Sequence, residues 1–419
     1  MNLAHWLARQ AQIKPERPAL FLGRNCVADY GTFWSDAQAI AGWLVAQGVR
    51  PGDRVALYMK NVPDYLTAFY GIWAAGAAVV PINAKLHGRE AAFILADSGA
   101  SHVFASPEMK QALTRVNANV PVTTVPGAAF EEQRRHAPLT DIIARQPDDL
   151  AWLFYTSGTT GKPKGVMMTH RMLMSMSLCY QTDVDKVTGK DATLYAAPMS
   201  HGAGIYNMLH VQAGARHVCP ASGGFEPAEI FDLAAHFGNM HLFAAPTMVK
   251  RMTDAARAAG CKGDGLRTVV YAGGPMYNAD IIDAVDHFGP VFVQIYGQGE
   301  CPMGITVLSR SDVTDRNHFR WAARLQSVGR AQSAVEVAIG TAEAQILPTG
   351  QHGEIMVRGD TVMPGYWQND DATARTLVSG WLMTGDMGFM DENGYVTLQD
   401  RSKDMIITCL LYTSPSPRD

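Results

Sequence analysis

Short apolar runs alternate with helix-period segments along the first half of the chain, and nothing else in the sequence restricts the fold so strongly. Pro51-Gly-Asp-Arg54 leads into Val55-Ala-Leu-Tyr-Met59, which reads as a short strand. Residues 62–75 carry helical spacing, Gly76 closes that helix, and Ala78-Val-Val-Pro-Ile82 begins another strand. Residues 89–96 read as the next helix and His102-Val-Phe-Ala105 as the next strand. Such alternation predicts parallel strands joined through helices that cover both sheet faces, an α/β fold.

The pattern resumes beyond residue 190. Residues 193–198, 215–220, 241–246, 268–273 and 291–297 read as strands, with helices at 226–236 and 247–258 among them. Two doubly wound α/β subdomains follow, and no repeat of fixed period suggests a solenoid. From about Val328 the character turns β-rich: Val335-Glu-Val-Ala-Ile339, Gly353-Glu-Ile-Met-Val-Arg358 and Tyr395-Val-Thr-Leu398 read as strands. Asn393-Gly394 supplies a tight-turn signal between two of them. A small β subdomain is expected there.

A chain of 419 residues exceeds one hydrophobic core, consistent with several packed subdomains. Its 47% apolar and 18% charged composition is that of an ordered globular protein. With 35 Lys and Arg against 39 Asp and Glu, the net charge of −4 offers no footprint for nucleic acid or an acidic membrane. An anionic substrate must be held by local groups. The six cysteines form no Cys-x-x-Cys pair, which argues against zinc or a disulfide framework and for reduced thiols in a cytoplasmic protein. The start Met1-Asn-Leu-Ala-His-Trp6 lacks the basic and apolar regions of a signal peptide. The apolar run 66–82 is too short for a good transmembrane segment and stops at Pro81; a buried helix followed by a buried strand is expected.

The richest chemistry lies in Tyr155-Thr-Ser-Gly-Thr-Thr-Gly-Lys-Pro-Lys-Gly-Val166, which follows a strand-like Leu150-Ala-Trp-Leu-Phe154 and precedes a helix-like 169–176. Its glycines permit close backbone approach, and its hydroxyls and two lysines can surround phosphate oxygens. It is not a Walker loop, because Gly161-Lys162 is followed by Pro163 and not by Ser or Thr opening a helix. A flap closing over phosphates fits better. The methionines between 167 and 176 sit at helical spacing and read as core.

This loop resembles the signature of the adenylate-forming superfamily, of the acyl-CoA synthetase type, and the likeness extends over residues 1–408. The resemblance implies a carboxylate substrate, ATP with Mg²⁺, and CoA. It implies phosphate contacts from Thr156, Ser157, Gly158, Thr159, Thr160 and Lys164. Tyr271-Ala-Gly-Gly-Pro-Met276 would line the adenine pocket with Gly273, Gly274 and Pro275. Tyr296-Gly-Gln-Gly-Glu300 is similar to the family's Tyr-Gly-x-Thr-Glu element, with Tyr296 against adenine and Glu300 on Mg²⁺. One carboxylate suffices for a hard cation that also takes phosphate oxygens. Gly299 stands where the family usually has Thr, implying a variant pocket. Asp386 in Trp381-Leu-Met-Thr-Gly-Asp386 and Arg401 would hold the ribose, and His201 in Pro198-Met-Ser-His-Gly-Ala-Gly204 would border the acyl pocket. Tyr206, Met208 and Met303 are candidates to shape that pocket.

By the same resemblance, residues 1–400 form the AMP-binding N-terminal domain, with a small barrel-like subdomain, and 401–408 form a hinge around Lys403. A smaller C-terminal domain is expected to be absent, so weak activity is expected of this chain. Residues 409–419 read as adapter-derived sequence, against the alternative of a genuine tail with Ser-Pro turns. Two other functions compete: a ligase that loads acyl-adenylate onto a carrier protein, and a non-catalytic nucleotide-binding or acyl-binding module. Which carboxylate is used, and the oligomeric state, stay open.

Overall fold

The computed structural model describes residues 1–156 and 163–401. Ser157, Gly158, Thr159, Thr160, Lys403 and the adapter-like tail lie outside the described residues. Among the described residues the strands form three sheets, of nine, six and five strands.

The six-stranded sheet grows from the alternation in the first half. Its order is Val122–Thr124, His102–Ala105, Arg54–Tyr58, Ala78–Pro81, Leu150–Thr156 and Lys164–Thr169. All pairs are parallel except the last. Ala78–Pro81 and His102–Ala105 are buried along their whole length, as expected of parallel strands covered on both faces. Helix Asp64–Ala74 precedes Ala78–Pro81 and buries every residue from Tyr65 to Ala74. The apolar run is therefore a core helix and a core strand, and among the described residues no helix is long and apolar enough to cross a membrane. Gly76, at φ +73°, ends the helix; a Cβ there would stand 2.6 Å from Ile143 Cγ2. Both facts favour glycine.

The nine-stranded sheet has a parallel centre, in the order Phe292–Gln298, Leu266–Tyr271, Met240–Ala244, Ala192–Leu194, Arg216–Cys219 and Pro18–Leu22. Antiparallel strands close its edges: Asn25–Asp29 on one side, Cys301–Leu308 and Arg330–Ala331 on the other. The hairpin at residues 18–29 thus joins a sheet built otherwise from residues 192–331. Helices Tyr30–Ala46 and Asp64–Ala74 pack on each other within one hydrophobic core that takes residues from both large sheets. Asn61 bridges the sheets' ends. Its Nδ2 donates to the Tyr195 and Ala197 carbonyls at 2.7 and 2.8 Å, and its Oδ1 accepts from Met199 N at 2.9 Å.

The small β subdomain is an antiparallel sheet of Val335–Gly340, Gly353–Gly359 and Trp381–Met390, with Leu377–Val378 and Val396–Arg401 also pairing on Trp381–Met390. One expectation needs correction. The loop after Leu150–Thr156 does not lead straight to a helix. Lys164–Thr169 returns as an antiparallel strand, with Leu153 opposite Met167 and Thr156 opposite Lys164, and helix His170–Cys179 begins only then. Thr169 caps that helix through its hydroxyl, which accepts from Met172 N at 3.2 Å. Met172 and Met176 are buried on that helix, as the helical spacing predicts, whereas Met168 is buried from the strand before it and Met167 and Met174 are half-buried.

Candidate functional site

In a parallel sheet the carboxyl ends of the strands open onto loops, and ligands gather there. Most of the chemistry-bearing motifs leave such ends. Tyr155 and Thr156 end one strand, Gly273–Pro275 follow Leu266–Tyr271, His201 follows the segment after Ala192–Leu194, and Tyr296–Glu300 close Phe292–Gln298. Tyr271 pairs with Gln294, so the turn at Gly273 and the ring of Tyr296 lie on neighbouring strand ends.

Asp386 is drawn to this edge from the five-stranded sheet. It is 5% exposed, and its Oδ2 accepts from Tyr296 Oη at 2.6 Å and from Gln298 Nε2 at 2.7 Å. Gln298 also donates to the Thr384 carbonyl at 2.8 Å. Two donors on one oxygen fix this carboxylate in orientation. Arg401 lies directly opposite Asp386 in the register of Trp381–Met390 and Val396–Arg401.

Glu300 is held by a residue whose part the sequence does not reveal. Tyr366 Oη donates to Glu300 Oε1 at 2.6 Å, while Met363 N donates to the Glu300 carbonyl at 2.8 Å. Burial and, after it, the neighbouring Glu300 charge push the Tyr366 pKa far up, so the hydroxyl stays a donor. Lys164 Nζ sits 4.9 Å from the centre of the same ring, a cation–π contact. The segment carrying Tyr366 is itself tied to the hairpin: Trp367 N donates to Gly165 O at 2.7 Å, and Met167 N to Gly365 O at 3.2 Å. Asp97 anchors the assembly, accepting from Tyr155 Oη at 2.6 Å through its side chain and from Trp367 Nε1 at 3.1 Å through its carbonyl. Gly365-Tyr-Trp367 is visible in the sequence only as a landmark. The contact that gives Tyr366 a role spans 66 residues.

His201 stands at the N-cap of the short helix Gly202–Ile205. Its Nδ1 lies 2.9 Å from Ser200 Oγ, and its ring meets Phe154 edge-on at 5.4 Å. Burial lowers its pKa to about 4, so it is a neutral imidazole near pH 7. Phe154 also packs on Gly299. A Cβ at Gly299 would lie 2.7 Å from Thr156 Cγ2 and 3.1 Å from the Phe154 ring. The threonine implied by the family pattern has no room here unless Thr156 or Phe154 shifts, which accounts for glycine. Met303 adjoins Gly202, Tyr206 lies deeper, and Met208 is plain core.

Thr156, Lys164, His201, Gly299 and Glu300 thus share one neighbourhood, with Tyr296 and Asp386 beside it. Among the described residues no group of three or more His, Cys, Asp or Glu is placed to hold a metal ion. A cation here would rest on Glu300 alone among carboxylates, with the remaining ligands coming from a bound molecule or water.

The arrangement has close parallels. The chain is 32% identical over 411 residues to the feruloyl-CoA synthase of an Amycolatopsis species, a match covering 97% of this chain and 80% of that protein. It is 31% identical over 406 residues to the fatty acid–[acyl-carrier-protein] ligase ScoC of Streptomyces coeruleorubidus, covering 95% of this chain and 76% of the relative. The solved N-terminal domain of FACL13 from Mycobacterium tuberculosis superposes with a TM-score of 0.85 at 27% identity, over 96% of this chain and all of that one. Residues 7–367 match the family model described as AMP-binding enzyme. With that match spanning most of the sequence, and with its motifs meeting where strand ends of the three sheets come together, the chain belongs to the AMP-binding enzyme family.

Proposed function

We propose that this site activates a carboxylic acid with ATP and passes the acyl group to the thiol of CoA. A carboxylate oxygen attacks the α-phosphorus and pyrophosphate leaves. The sulfur of CoA, its proton given up, then attacks the acyl carbon and AMP leaves. The observation that carries this reading is the pairing of Tyr296 and Gln298 on Asp386 beside the Tyr366–Glu300 pair. It supplies a fixed acceptor for a ribose diol and, next to it, a carboxylate for a phosphate-bridging cation. The named relatives support the same reaction class.

In this reading Asp386 and Arg401 hold the ribose, while Gly273, Gly274, Pro275 and Tyr296 frame the adenine. Thr156, Ser157, Gly158, Thr159, Thr160 and Lys164 take the phosphates. Glu300 holds Mg²⁺, whose charge offsets that of the departing pyrophosphate. Neutral His201 and Gly299 border the acyl group, and Lys403 is the hinge between the half-reactions. Residues 1–400 are then the AMP-binding domain. ATP, CoA and unpaired cysteines fit a cytoplasmic enzyme.

Acid-dependent exchange of pyrophosphate into ATP tests the reading. Exchange should appear with some member of a carboxylate panel, and Glu300→Gln should lower it on the order of 10²-fold, the usual cost of losing one preorganised electrostatic group. Exchange that ignores added acid, or survives Glu300→Gln unchanged, would overturn the assignment. The ScoC likeness favours one second reading, with a carrier protein in place of CoA. AMP release driven by a phosphopantetheinylated carrier but not by free CoA would establish it.

A further inference from the structure

The chain of residues that begins at His201 runs inward from the site. Helix Gly202–Ile205 is followed at once by Asn207–Ala213, so Tyr206 and His210 lie five and nine residues beyond His201. Both line a small internal cavity with Tyr180, Ala203, His241 and Phe243. Its water-accessible volume is about 10 Å³, room for a single oxygen atom and little more. Phe243 is the partition. A Cβ on Gly202 would stand 3.1 Å from the Phe243 ring, and the centre of that ring is 6.4 Å from that of Tyr206. The cavity is thus one phenyl ring deeper than His201.

Three buried side-chain atoms of the lining residues make no hydrogen bond among the described residues, Tyr206 Oη, His210 Nε2 and His241 Nε2. The chemistry of Tyr206 Oη and His210 Nε2 is complementary. His210 Nδ1 lies 2.8 Å from the Tyr206 carbonyl, which can only accept, so Nδ1 carries the proton and Nε2 must be an acceptor. Burial keeps the ring neutral. Tyr206 Oη is a donor without an acceptor. His241 differs from them: its Nε2 has the Asp191 carboxylate 3.7 Å away, within ion-pair range though beyond hydrogen-bond reach, and its Nδ1 lies 3.3 Å from Tyr180 Oη. Leaving such groups bare costs about 1–3 kcal/mol each, and an apolar wall of Phe and Leu would avoid that cost. One hydroxyl answers both needs, donating to His210 Nε2 and accepting from Tyr206 Oη.

We propose that the acid this enzyme activates carries a hydroxyl at its far end, and that Tyr206 and His210 recognise it. The proposal rests on the carboxylate-activating reading given above. When no substrate is bound, one water serves both atoms, and the substrate hydroxyl replaces it. Phe243 turns aside to admit the acyl chain.

Binding measured by calorimetry on this chain tests it without needing turnover. The probes are acyl-sulfamoyl adenosines, non-reacting adenylate analogues, with aliphatic and aryl acyl groups of graded length, each made with and without a terminal hydroxyl. At the length that reaches the cavity, the hydroxylated partner should bind roughly tenfold tighter, the worth of about one well-made hydrogen bond. His210→Leu and Tyr206→Phe should each bring the ratio within the pair toward one. Equal affinities within every pair, or a preference that both variants retain, would overturn the proposal. If a variant does not fold, the ratio in the unmodified chain decides. If the folded chain binds no analogue at all, the activation reading fails first and this subsite with it.

Discussion

Around Asp386 the protein's own donors already occupy one carboxylate oxygen, whereas around Tyr206 and His210 the polar atoms wait for a partner. The first region is built from strand ends and, in the proposed reading, faces the nucleotide, which is the same in every turnover. The second is built from a helix and a sheet face deep in the core and, as proposed, faces the far end of the acid. Prearranged hydrogen bonds remove the reorganisation that binding would otherwise require. Unmet ones penalise every ligand that lacks the right group. If the comparison holds, damage near Asp386 should lower affinity for all nucleotides, and damage near the cavity should change choice among acids.

Acid should strike the buried histidines harder than any single substitution. Burial lowers the pKa of His217, stacked on Tyr195 beside the cavity histidines, to about 3, that of His201 to about 4 and that of His102 to about 4. Each folded-state value lies below that of an exposed histidine, so the unfolded chain takes up protons that the folded chain refuses. The stability held this way is whole above about pH 6.5 and is lost as pH falls toward 4 and 3. From pH 6.5 to 5 the loss is on the order of 2 kcal/mol per histidine. Asp36 and Asp64, whose carboxyls burial pushes up, act in the opposite direction. The urea midpoint should be flat between pH 7 and 8 and fall steeply by pH 5. A midpoint unchanged at pH 5 would show that these rings are not buried as neutral groups.

Asp386→Asn tests the other side of the comparison. Tyr296 Oη and Gln298 Nε2 keep an oxygen to bond, but the charge and half of the accepting capacity go. Hydrogen bonds to a charged group contribute about 1.5–3 kcal/mol, so AMP affinity should drop roughly 10²-fold. Selectivity within the hydroxyl and plain analogue pairs should not move. A shift in that selectivity would mean that the two regions are coupled, and the contrast drawn between them would fail.

Much of the fold is legible in the sequence because its elements are locally defined. Residues 62–75 carry helical spacing and stop at a glycine whose φ of +73° bears out the stop. Two elements were hidden for the same physical reason. Pro18–Leu22 is stabilised by pairing with Arg216–Cys219, nearly two hundred residues away, and Lys164–Thr169 by pairing across a glycine-rich loop with no turn signature of its own. The site divides likewise. Thr156, Tyr296, Glu300 and Asp386 stand in short motifs. Tyr366 acts through a neighbour 66 residues distant, and the need at Tyr206 and His210 exists only once the core has closed around them.

Tyr366→Phe should give the smallest effect, and it shows how far the prearranged side depends on a group outside the motifs. The substitution keeps the ring under Lys164 Nζ, and with it the cation–π contact, while removing the hydroxyl on Glu300 Oε1. Glu300 keeps its backbone tie through Met363, so the carboxylate remains in the site with more rotational freedom. The loss should be about 1 kcal/mol, a fall of some five- to tenfold in pyrophosphate exchange. It should be met in part by raising Mg²⁺, because a less ordered carboxylate binds the cation more weakly but not differently. AMP affinity measured without Mg²⁺ should stay as it was, since Asp386 and its two donors are untouched. A titration of exchange against Mg²⁺ separates the outcomes. A variant with an unaltered Mg²⁺ dependence would mean that Tyr366 positions the hairpin and not Glu300, which would move the prearrangement from the carboxylate to the loop.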